Sequence, residues 1–220
     1  MVNPTGRGLF PSRLYAILDP AEIRGRPWES VLKALLEGGA RVIQLRAKEL
    51  SARELLEVAN KGRMLIRTAN GQWIVNDRVD VALAADADGV HLGQEDLPLS
   101  VARKLVGKEK LIGVSTHDLK QAREAEQGGA DYIGFGPIFG TATKETGYAA
   151  RGVEMLREAC RAVKIPVVAI GGITEANVAE VWGAGADSAA MISDLMRAED
   201  VTAKVRRILA IHKKAIGNRQ

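Results

Sequence analysis

Eight short apolar runs alternate with stretches of helical periodicity along this chain of 220 residues. The runs are LYAILD, ARVIQLR, WIVND, DGVHLG, KLIGVS, DYIGFG, PVVAIG and SAAMIS. They are apolar almost throughout, as strands covered on both faces should be. Each is followed by an amphipathic stretch, the first at 27–38 and the last at 198–214. Eight such units predict an α/β protein, a single (β/α)8 TIM barrel over residues 14–214 with tails at 1–13 and 215–220.

The composition narrows the class of protein further. Hydrophobic residues make up 46% of the chain, which suits one globular domain. The one cysteine, Cys160, excludes an internal disulfide, and its helical surroundings predict a buried structural thiol. The longest apolar runs, such as 167–170, are too short to cross a bilayer, and the first residues lack the apolar core of a secretory signal. We therefore expect a cytoplasmic protein with no membrane partner.

The net charge of +4 comes partly from the stretch KVRRILAIHKK near the C-terminus. That stretch has the spacing of an amphipathic last helix, and no aromatic platform accompanies it. We interpret its cations as a solvent-facing helix surface, so no nucleic-acid partner is expected. A modest positive balance also suits an enzyme that acts on anionic substrates.

In a TIM barrel the residues that follow each strand ring the active-site face. After the second run comes QLRAK, residues 44–48, in which Gln44, Arg46 and Lys48 would point the same way from an extended segment. A planar guanidinium beside an ammonium suits a polyanion such as pyrophosphate. The alternative is a surface ion-pair cluster with Glu49 and Glu54.

Two carboxylates follow the next two runs. Asn76 and Asp77 come after the third run, and Asp96 comes after the fourth, so both aspartates would sit on neighbouring loops at the same rim. Oxygen ligands without a Cys or His pair favour a hard cation, and Mg²⁺ before zinc. The alternative is that each aspartate caps a helix, since Asp77 precedes a helical stretch and Asp96 lies just before Pro98.

The fifth run ends in Ser115, whose hydroxyl could donate a hydrogen bond to an anion. His91 lies inside the fourth run, which is typical of a satisfied core or wall histidine. His117 follows on the loop and is an acid/base candidate, and Asp118 is expected to be the N-cap of the next helix.

The sixth run leads into GPIFGTATKETGY, which has neither helical nor strand periodicity. Its glycines let the backbone approach a ligand, and its two threonines and lysine offer donors, which suits a loop that closes on a phosphorylated substrate. The seventh run ends in Gly171-Gly172-Ile173-Thr174, with a helix expected from about Thr174. Loops after the seventh and eighth strands are the usual phosphate site of this fold. The rim is therefore expected to hold two anion sites and one metal site.

Four motifs in order carry a family resemblance: QLRAK, NDR, HLGQED and GPIFGTATK. With the segments around them, from about Tyr15 to Leu195, the chain resembles thiamine-phosphate synthase. The resemblance implies a transferase that joins a hydroxymethylpyrimidine diphosphate to a thiazole phosphate and releases thiamine phosphate and pyrophosphate. It implies a dissociative mechanism, in which Mg²⁺ and cations draw off pyrophosphate and the thiazole nitrogen attacks with its own lone pair.

The resemblance also implies site residues, which we carry over by position in this sequence. The pyrimidine and its diphosphate would contact Gln44, Leu45, Arg46, Ala47, Lys48, Asn76, Ser115 and Lys144. Mg²⁺ would be held by Asp77 and Asp96. The thiazole phosphate would contact Thr141, Ala142, Thr143, Gly172, Ile192 and Ser193. The catalytic roles would belong to Arg46, Lys48, Ser115 and Lys144.

Two positions depart from the pattern of that family. Ser188 stands where the family usually has glycine, and Asp194 stands where it usually has alanine. A carboxylate next to the expected phosphate site would repel the ligand unless it is turned away.

Three other functions fit the same barrel. A thiazole tautomerase is the nearest, but that family carries a histidine acid/base where Ser115 stands here. A sugar-phosphate isomerase or epimerase would need a paired acid and base, which the motifs do not provide. A non-catalytic phosphate-binding barrel differs from all of these in making no product. Assembly into a homo-oligomer is left open by the sequence.

Overall fold

Eight parallel strands form a closed barrel in which the spatial order is the chain order. The structure, a computed structural model, describes residues 10–140 and 148–217, and side chains only as far as Ile211. The strands are β1 Leu14–Leu18, β2 Val42–Leu45, β3 Gln72–Asn76, β4 Gly89–Leu92, β5 Leu111–Thr116, β6 Tyr132–Phe135, β7 Val167–Ile170 and β8 Ser188–Met191. Because β1 pairs with both β2 and β8, the barrel has no free edge, and the predicted TIM barrel is confirmed.

Helices cover the outside of the barrel. They are α1 Trp28–Gly38, α2 Ala52–Thr68, α3 Val79–Ala84, α4 Leu99–Val106, α5 Leu119–Gln127, α6 Gly152–Ala162, α7 Val178–Gly183, α8 Ser193–Met196 and α9 Val201–Gly217. The last helix, α9, packs against α1 and completes the outer ring. Among the described residues, no helix combines the length and apolar character needed to span a bilayer.

The helix expected from Thr174 begins four residues later, at Val178. The Asn177 side chain accepts the Thr174 N–H and donates to the Gly172 carbonyl, so this segment forms a closed turn instead of a helical one. A second difference is α8, which was not expected and begins directly after β8 at Ser193. The last helix also continues through Gly217, three residues beyond the predicted end of the barrel.

The core has two parts, separated by the barrel wall. The larger part lies between the strands and the helices, where Trp73 is fully buried and Cys160 is buried as predicted. The smaller part fills the inside of the barrel and contains the aromatic rings of Tyr15 and Tyr132. Phe10 precedes β1 and packs on both rings, at centroid distances of 6.0 and 5.2 Å. It covers these rings at the end of the barrel at which the strands begin.

Three aspartates tie the starts of neighbouring strands together. Each stands one residue before a strand and accepts the backbone N–H of a residue in the strand before it. Asp88 accepts from Trp73 at 2.7 Å, and Asp131 accepts from Ile112 at the same distance. Asp187 accepts from the Val167 N–H at 2.9 Å. These bonds satisfy strand-end donors that the ladder leaves unpaired, and they help to set the strand register.

Candidate active site

A cavity of about 500 Å³ opens where the strands end. It brings together most of the residues predicted for the diphosphate and the metal: Gln44, Arg46, Lys48, Asn76, Asp77, Asp96 and Ser115. Leu45 and Ala47 alternate with these residues along the chain, so their side chains point the other way and are buried in the core against the helices. Lys144 lies outside the described residues.

The two cations of the QLRAK segment are each paired with a carboxylate. The Arg46 guanidinium donates to Asp19, which follows β1 and is 2% exposed. The other Asp19 oxygen accepts the Ala21 N–H, so the carboxylate that orients Arg46 is itself held. The Lys48 ammonium lies 3.6 Å from the Asp77 carboxylate.

The surface-cluster alternative for these cations is not supported. Glu54, one of its two expected members, closes a capping box with Ser51 at the start of α2. The Asp19 pairing was missed by sequence reasoning, although the aspartate at the end of LYAILD stands at a strand end like the residues that were chosen. Strand-end position was therefore a usable signal for Asp19.

Neither Asp77 nor Asp96 caps a helix. The N-cap positions of α3 and α4 are Arg78 and Pro98, and neither helix start has a side-chain cap. Asp77 instead adopts a left-handed backbone conformation with φ of 62°. Asp96 accepts the Gly93 N–H at 2.6 Å. A non-glycine residue with positive φ at a cavity rim is a feature that clusters at functional sites.

The oxygen donors at this rim fit a Mg²⁺ ion with few protein ligands. Both carboxylates line the same cavity, next to Asn76 and Glu95. Among the described side chains, which end at Ile211, no group of three or more His, Cys, Asp or Glu residues is arranged to hold a metal. An ion bound here would therefore complete its shell with water and substrate oxygens, which is the usual behaviour of Mg²⁺ at phosphate sites.

A chain of hydrogen bonds runs through the inside of the barrel beneath this cavity. The Gln44 amide donates to the Tyr15 hydroxyl at 3.0 Å, and the Tyr15 and Tyr132 hydroxyls are 2.8 Å apart. Tyr132 lies 3.1 Å from His91 Nδ1, and His91 Nε2 lies 3.0 Å from the Ser115 hydroxyl. The prediction that His91 is a satisfied wall histidine is confirmed.

Burial keeps Tyr15 and Tyr132, the two tyrosines in this chain of hydrogen bonds, protonated. Removal from water raises the pKa of Tyr15 well above its usual value, and its hydrogen bonds with Tyr132 and Gln44 only partly offset the rise. Burial likewise raises the pKa of Tyr132, and the neighbouring Tyr15 hydroxyl adds to the effect. Each hydroxyl therefore carries one proton that it can donate.

His117 lies at the rim between the strand ends. Its ring stacks on Tyr148 at a centroid distance of 3.8 Å, and its Nδ1 is 2.6 Å from the Gly136 carbonyl oxygen. Because a carbonyl can only accept, Nδ1 carries a proton. The Arg151 guanidinium lies over the Tyr148 ring, 5.3 Å from its centre, in a cation–π contact. Tyr148 was missed in the sequence, where an isolated aromatic residue beyond the GTATK segment carries no motif.

A second, smaller cavity of about 100 Å³ adjoins the first one. It is lined by Gly172, Ile192 and Ser193, three of the residues predicted for the thiazole phosphate. The two cavities share the lining residues Ser115, His117, Gly134, Ile170, Ala190 and Ile192. Thr141, Ala142 and Thr143 lie outside the described residues. The two predicted ligand sites are therefore neighbours, with Ser115 between them.

The two departures from the family pattern have different outcomes. Asp194 does not line the smaller cavity, because its carboxylate accepts the Glu175 N–H at 2.9 Å and pairs with Lys204 at 3.0 Å. The carboxylate is therefore turned away from the expected phosphate position. Ser188 is fully buried in β8, and its hydroxyl has no hydrogen-bond partner in the described part of the chain.

Comparisons with known proteins agree with this geometry. The family model for thiamine monophosphate synthase matches residues 14–195. The thiamine-phosphate synthase of Chloroflexus aurantiacus is 50% identical over 199 residues, which cover 90% of this chain and 92% of that protein. The enzyme of the same name from Moorella thermoacetica is 49% identical and covers 93% and 97%.

The solved structure of thiamine phosphate pyrophosphorylase from Pyrococcus furiosus superposes with a TM-score of 0.85 at 42% identity. The match covers 93% of this chain and 97% of that one. The same family thus emerges from the family model, from full-length relatives and from a solved structure. The chain therefore belongs to the thiamine-phosphate synthase family of transferases.

Proposed function

We propose that this protein joins 4-amino-2-methyl-5-(diphosphooxymethyl)pyrimidine to 4-methyl-5-(2-phosphoethyl)thiazole, forming thiamine phosphate and pyrophosphate. The observation that carries the proposal is the pair of adjoining cavities. One is lined by Arg46, Lys48 and two aspartates, and the other by Gly172 and the start of α8. Two phosphorylated substrates that react with each other require two anion sites that open into one space.

The larger cavity is suited to a leaving diphosphate. Arg46 offers two parallel donors, and Asp19 holds its guanidinium in place before the ligand arrives. Lys48 adds a second positive charge. Asp77 and Asp96 would hold Mg²⁺, which supplies charge neutralisation to the diphosphate oxygens. These groups stabilise the charge that grows on the diphosphate as its bond to the methylene carbon breaks.

The deeper walls of the cavity are suited to the cationic pyrimidine that remains. Ile17, Val168, Ile170 and Ala190 line this part and offer no nucleophile. An apolar wall excludes water, which would otherwise capture the methylene cation before the thiazole nitrogen reaches it. The thiazole attacks with its own lone pair, so the reaction requires no general base. In this proposal Ser115 contributes a hydrogen bond from the boundary between the two cavities.

The first experiment mixes the purified protein with the pyrimidine diphosphate, the thiazole phosphate and Mg²⁺, and measures thiamine phosphate. EDTA should abolish product formation, and excess Mg²⁺ should restore it. If well-folded protein makes no product, the synthase proposal is wrong, and isomerisation of the thiazole and binding of phosphate alone become the next assays.

Variants of the two proposed metal ligands test where Mg²⁺ binds. Asp77→Asn and Asp96→Asn should each raise the Mg²⁺ concentration needed for half-maximal activity by about tenfold or more, because each removes a charged ligand. Glu95→Gln is the matched control, since Glu95 lines the same cavity but is not a proposed ligand. A Mg²⁺ requirement that changes equally in all three variants would contradict the assignment.

The cations are expected to act on the transition state. Replacing Arg46 or Lys48 should lower kcat more than it raises the KM of the pyrimidine diphosphate, because negative charge accumulates on the leaving group during the reaction. Equal changes in both constants would contradict this role. Lys144 belongs to the same proposal on the strength of the family resemblance.

The cellular location is part of the proposal. A cytoplasmic location is supported by Cys160, the single cysteine, which is buried in the core and needs no oxidising compartment. Fractionation of cells that carry an epitope-labelled copy would test it, and recovery outside the cytoplasm would contradict it.

A further inference from the structure

We infer that Tyr132 is a positioning residue that sets the tautomer of His91, so that Ser115 presents its proton to the substrate. This inference rests on the proposed function for its catalytic consequence. It concerns five side chains that form one hydrogen-bonded line from Gln44 to Ser115, of which only the two ends were predicted as site residues.

The direction of this line follows from its first member. The Gln44 amide nitrogen can only donate, so the Tyr15 oxygen accepts this hydrogen bond. The Tyr15 proton is itself buried and needs an acceptor, and the neighbouring oxygen that remains for it is that of Tyr132. Because the Tyr132 oxygen accepts this hydrogen bond, the Tyr132 hydroxyl donates its own proton in a hydrogen bond to His91 Nδ1. Each hydroxyl has one proton, and that proton can serve only one neighbour along the line.

The orientation of His91 then determines the state of Ser115. With Nδ1 acting as an acceptor, the neutral imidazole carries its proton on Nε2 and donates it to the Ser115 oxygen. The Ser115 hydroxyl proton is left to point into the space shared by the two cavities. Ser115 is thereby a hydrogen-bond donor to the substrate and not a nucleophile activated by His91.

The reverse direction would give Ser115 the opposite role. If the Gln44 carbonyl oxygen faced Tyr15, each proton in the line would shift to the other neighbour, and His91 would be protonated on Nδ1. Ser115 would then donate to Nε2 and present only lone pairs to the substrate. The two directions therefore differ in one measurable property, which is the ring nitrogen of His91 that carries the proton.

Tight packing holds the side chains of this hydrogen-bonded line in one arrangement. Tyr15, Tyr132 and Gln44 are at most 3% exposed. Two glycines leave the space for the rings, since a Cβ at Gly113 would lie 2.1 Å from the Tyr132 ring and a Cβ at Gly134 would lie 3.0 Å from His91 Cε1. With their rings enclosed in this way, the Tyr132 hydroxyl and the His91 ring nitrogens are held in the positions that form this line.

The test reads the tautomer directly by NMR. The chain has three histidines, so a sample labelled with ¹⁵N-histidine gives three ring systems, and His91→Asn identifies the one from His91 by its loss. In the wild-type protein without substrate we expect a protonated Nε2 and an unprotonated Nδ1. Protonation of Nδ1 in the wild-type protein would overturn the inference without recourse to any variant.

Tyr132→Phe keeps the ring in the core and removes only the hydroxyl. We expect the second His91 tautomer to appear and kcat to fall by roughly tenfold, the effect of losing one hydrogen bond, with a smaller change in the KM of the pyrimidine diphosphate. Tyr148→Phe is the matched control, because it makes the same chemical change at the rim and should leave the His91 tautomer as it is. An unchanged tautomer in Tyr132→Phe would also overturn the inference.

The variant Gln44→Met tests whether Gln44 sets the direction of the hydrogen bonds. Gln44 lies three hydrogen bonds away from His91. It removes the donor that gives the line its direction, so both tautomers should be detected. A retained single tautomer would show that Gln44 does not set the direction. If the wild-type tautomer is as inferred but no thiamine phosphate is made, the proposed reaction fails while the arrangement of the line stands.

Discussion

Asp194→Ala distinguishes two opposite roles for the carboxylate that departs from the family pattern. A carboxylate that repelled the thiazole phosphate would, when removed, let the substrate bind more tightly. The contacts indicate the contrary, because Asp194 holds the Glu175 N–H at 2.9 Å and shares Lys204, which also lies 3.1 Å from the Glu175 carboxylate. In this arrangement Asp194 ties the segment after β7 to α8 and α9.

The charges in this cluster reinforce one another. Burial by itself lowers the pKa of Lys204, but hydrogen bonds to Asp194 and Glu175 outweigh it and raise that pKa. The hydrogen bond from Arg207, together with Lys204, holds the pKa of Glu175 below its usual range. Lys204, Glu175 and Arg207 are therefore charged at neutral pH, and the Lys204 ammonium lies 3.0 Å from the Asp194 carboxylate.

The size of the effects on stability and on KM follows from the hydrogen bonds that Asp194→Ala removes. The variant loses two charge-assisted hydrogen bonds, from the Glu175 N–H and from Lys204, and the Lys204 and Asp194 side chains are only 15% and 20% exposed, so we expect a loss of about 2 kcal/mol of folding stability. The same change loosens the segment that carries Gly172 and Thr174 along the smaller cavity. If about half of that energy appears in substrate binding, the KM of the thiazole phosphate rises by about fivefold.

The assay measures that KM with the pyrimidine diphosphate at saturation, beside chemical denaturation of the same samples. Asp194→Asn is the matched control, because its amide oxygen can still accept the Glu175 N–H while the ion pair with Lys204 is gone, and it should fall between the wild type and Asp194→Ala. A KM that decreases in Asp194→Ala would refute the reasoning and restore the repulsive role.

Two further predictions concern stability. In Gly62→Ala the new methyl would lie 2.4 Å from Trp73, and overpacking of about 1–3 kcal/mol should outweigh the helix preference for alanine of about 1 kcal/mol. Denaturation should show a loss in Gly62→Ala and none in Gly183→Ala, where nothing lies within 4 Å, so a stabilised Gly62→Ala would be inconsistent with this packing. Hydrogen bonds from Ser51 lower the pKa of Glu54, so the capping box stabilises the fold above the ordinary glutamate pKa of about 4.3 and is lost as pH falls through the lowered value. Melting temperatures of Glu54→Gln and wild type should therefore converge in acid, and a constant difference would argue against the effect.

The fold could be predicted because each element is encoded by its own local pattern. A strand such as Val167–Ile170 is a short apolar run, and a helix such as Ala52–Thr68 has a capping box and an apolar stripe. The start of α7 could not be predicted in this way. Its first turn is displaced by Asn177, whose amide bonds both Thr174 and Gly172, and a propensity pattern does not record which of two competing hydrogen-bond arrangements forms.

The rim of the site could be predicted for a related reason. In a closed parallel barrel all strands end on the same side, so residues such as Gln44, Asn76 and Ser115 must meet there once the strands are recognised. Asp19 obeys the same rule and was within reach of it. Tyr148 could not be predicted by this rule, because its place beside His117 depends on how the chain returns from the segment after β6.

The sequence by itself determined the barrel, the face on which the site lies and the kinds of charge that ring it, because these depend on periodicity and on the order of the strands. Only the tertiary structure decided where the functional atoms point. Tyr15 and Tyr132 look like ordinary apolar strand residues, yet their hydroxyls meet across 117 residues of chain. Asp194 looks like a repulsive charge until Lys204 and the Glu175 N–H are seen to hold it. Such directions arise from contacts between distant elements, which local patterns do not contain.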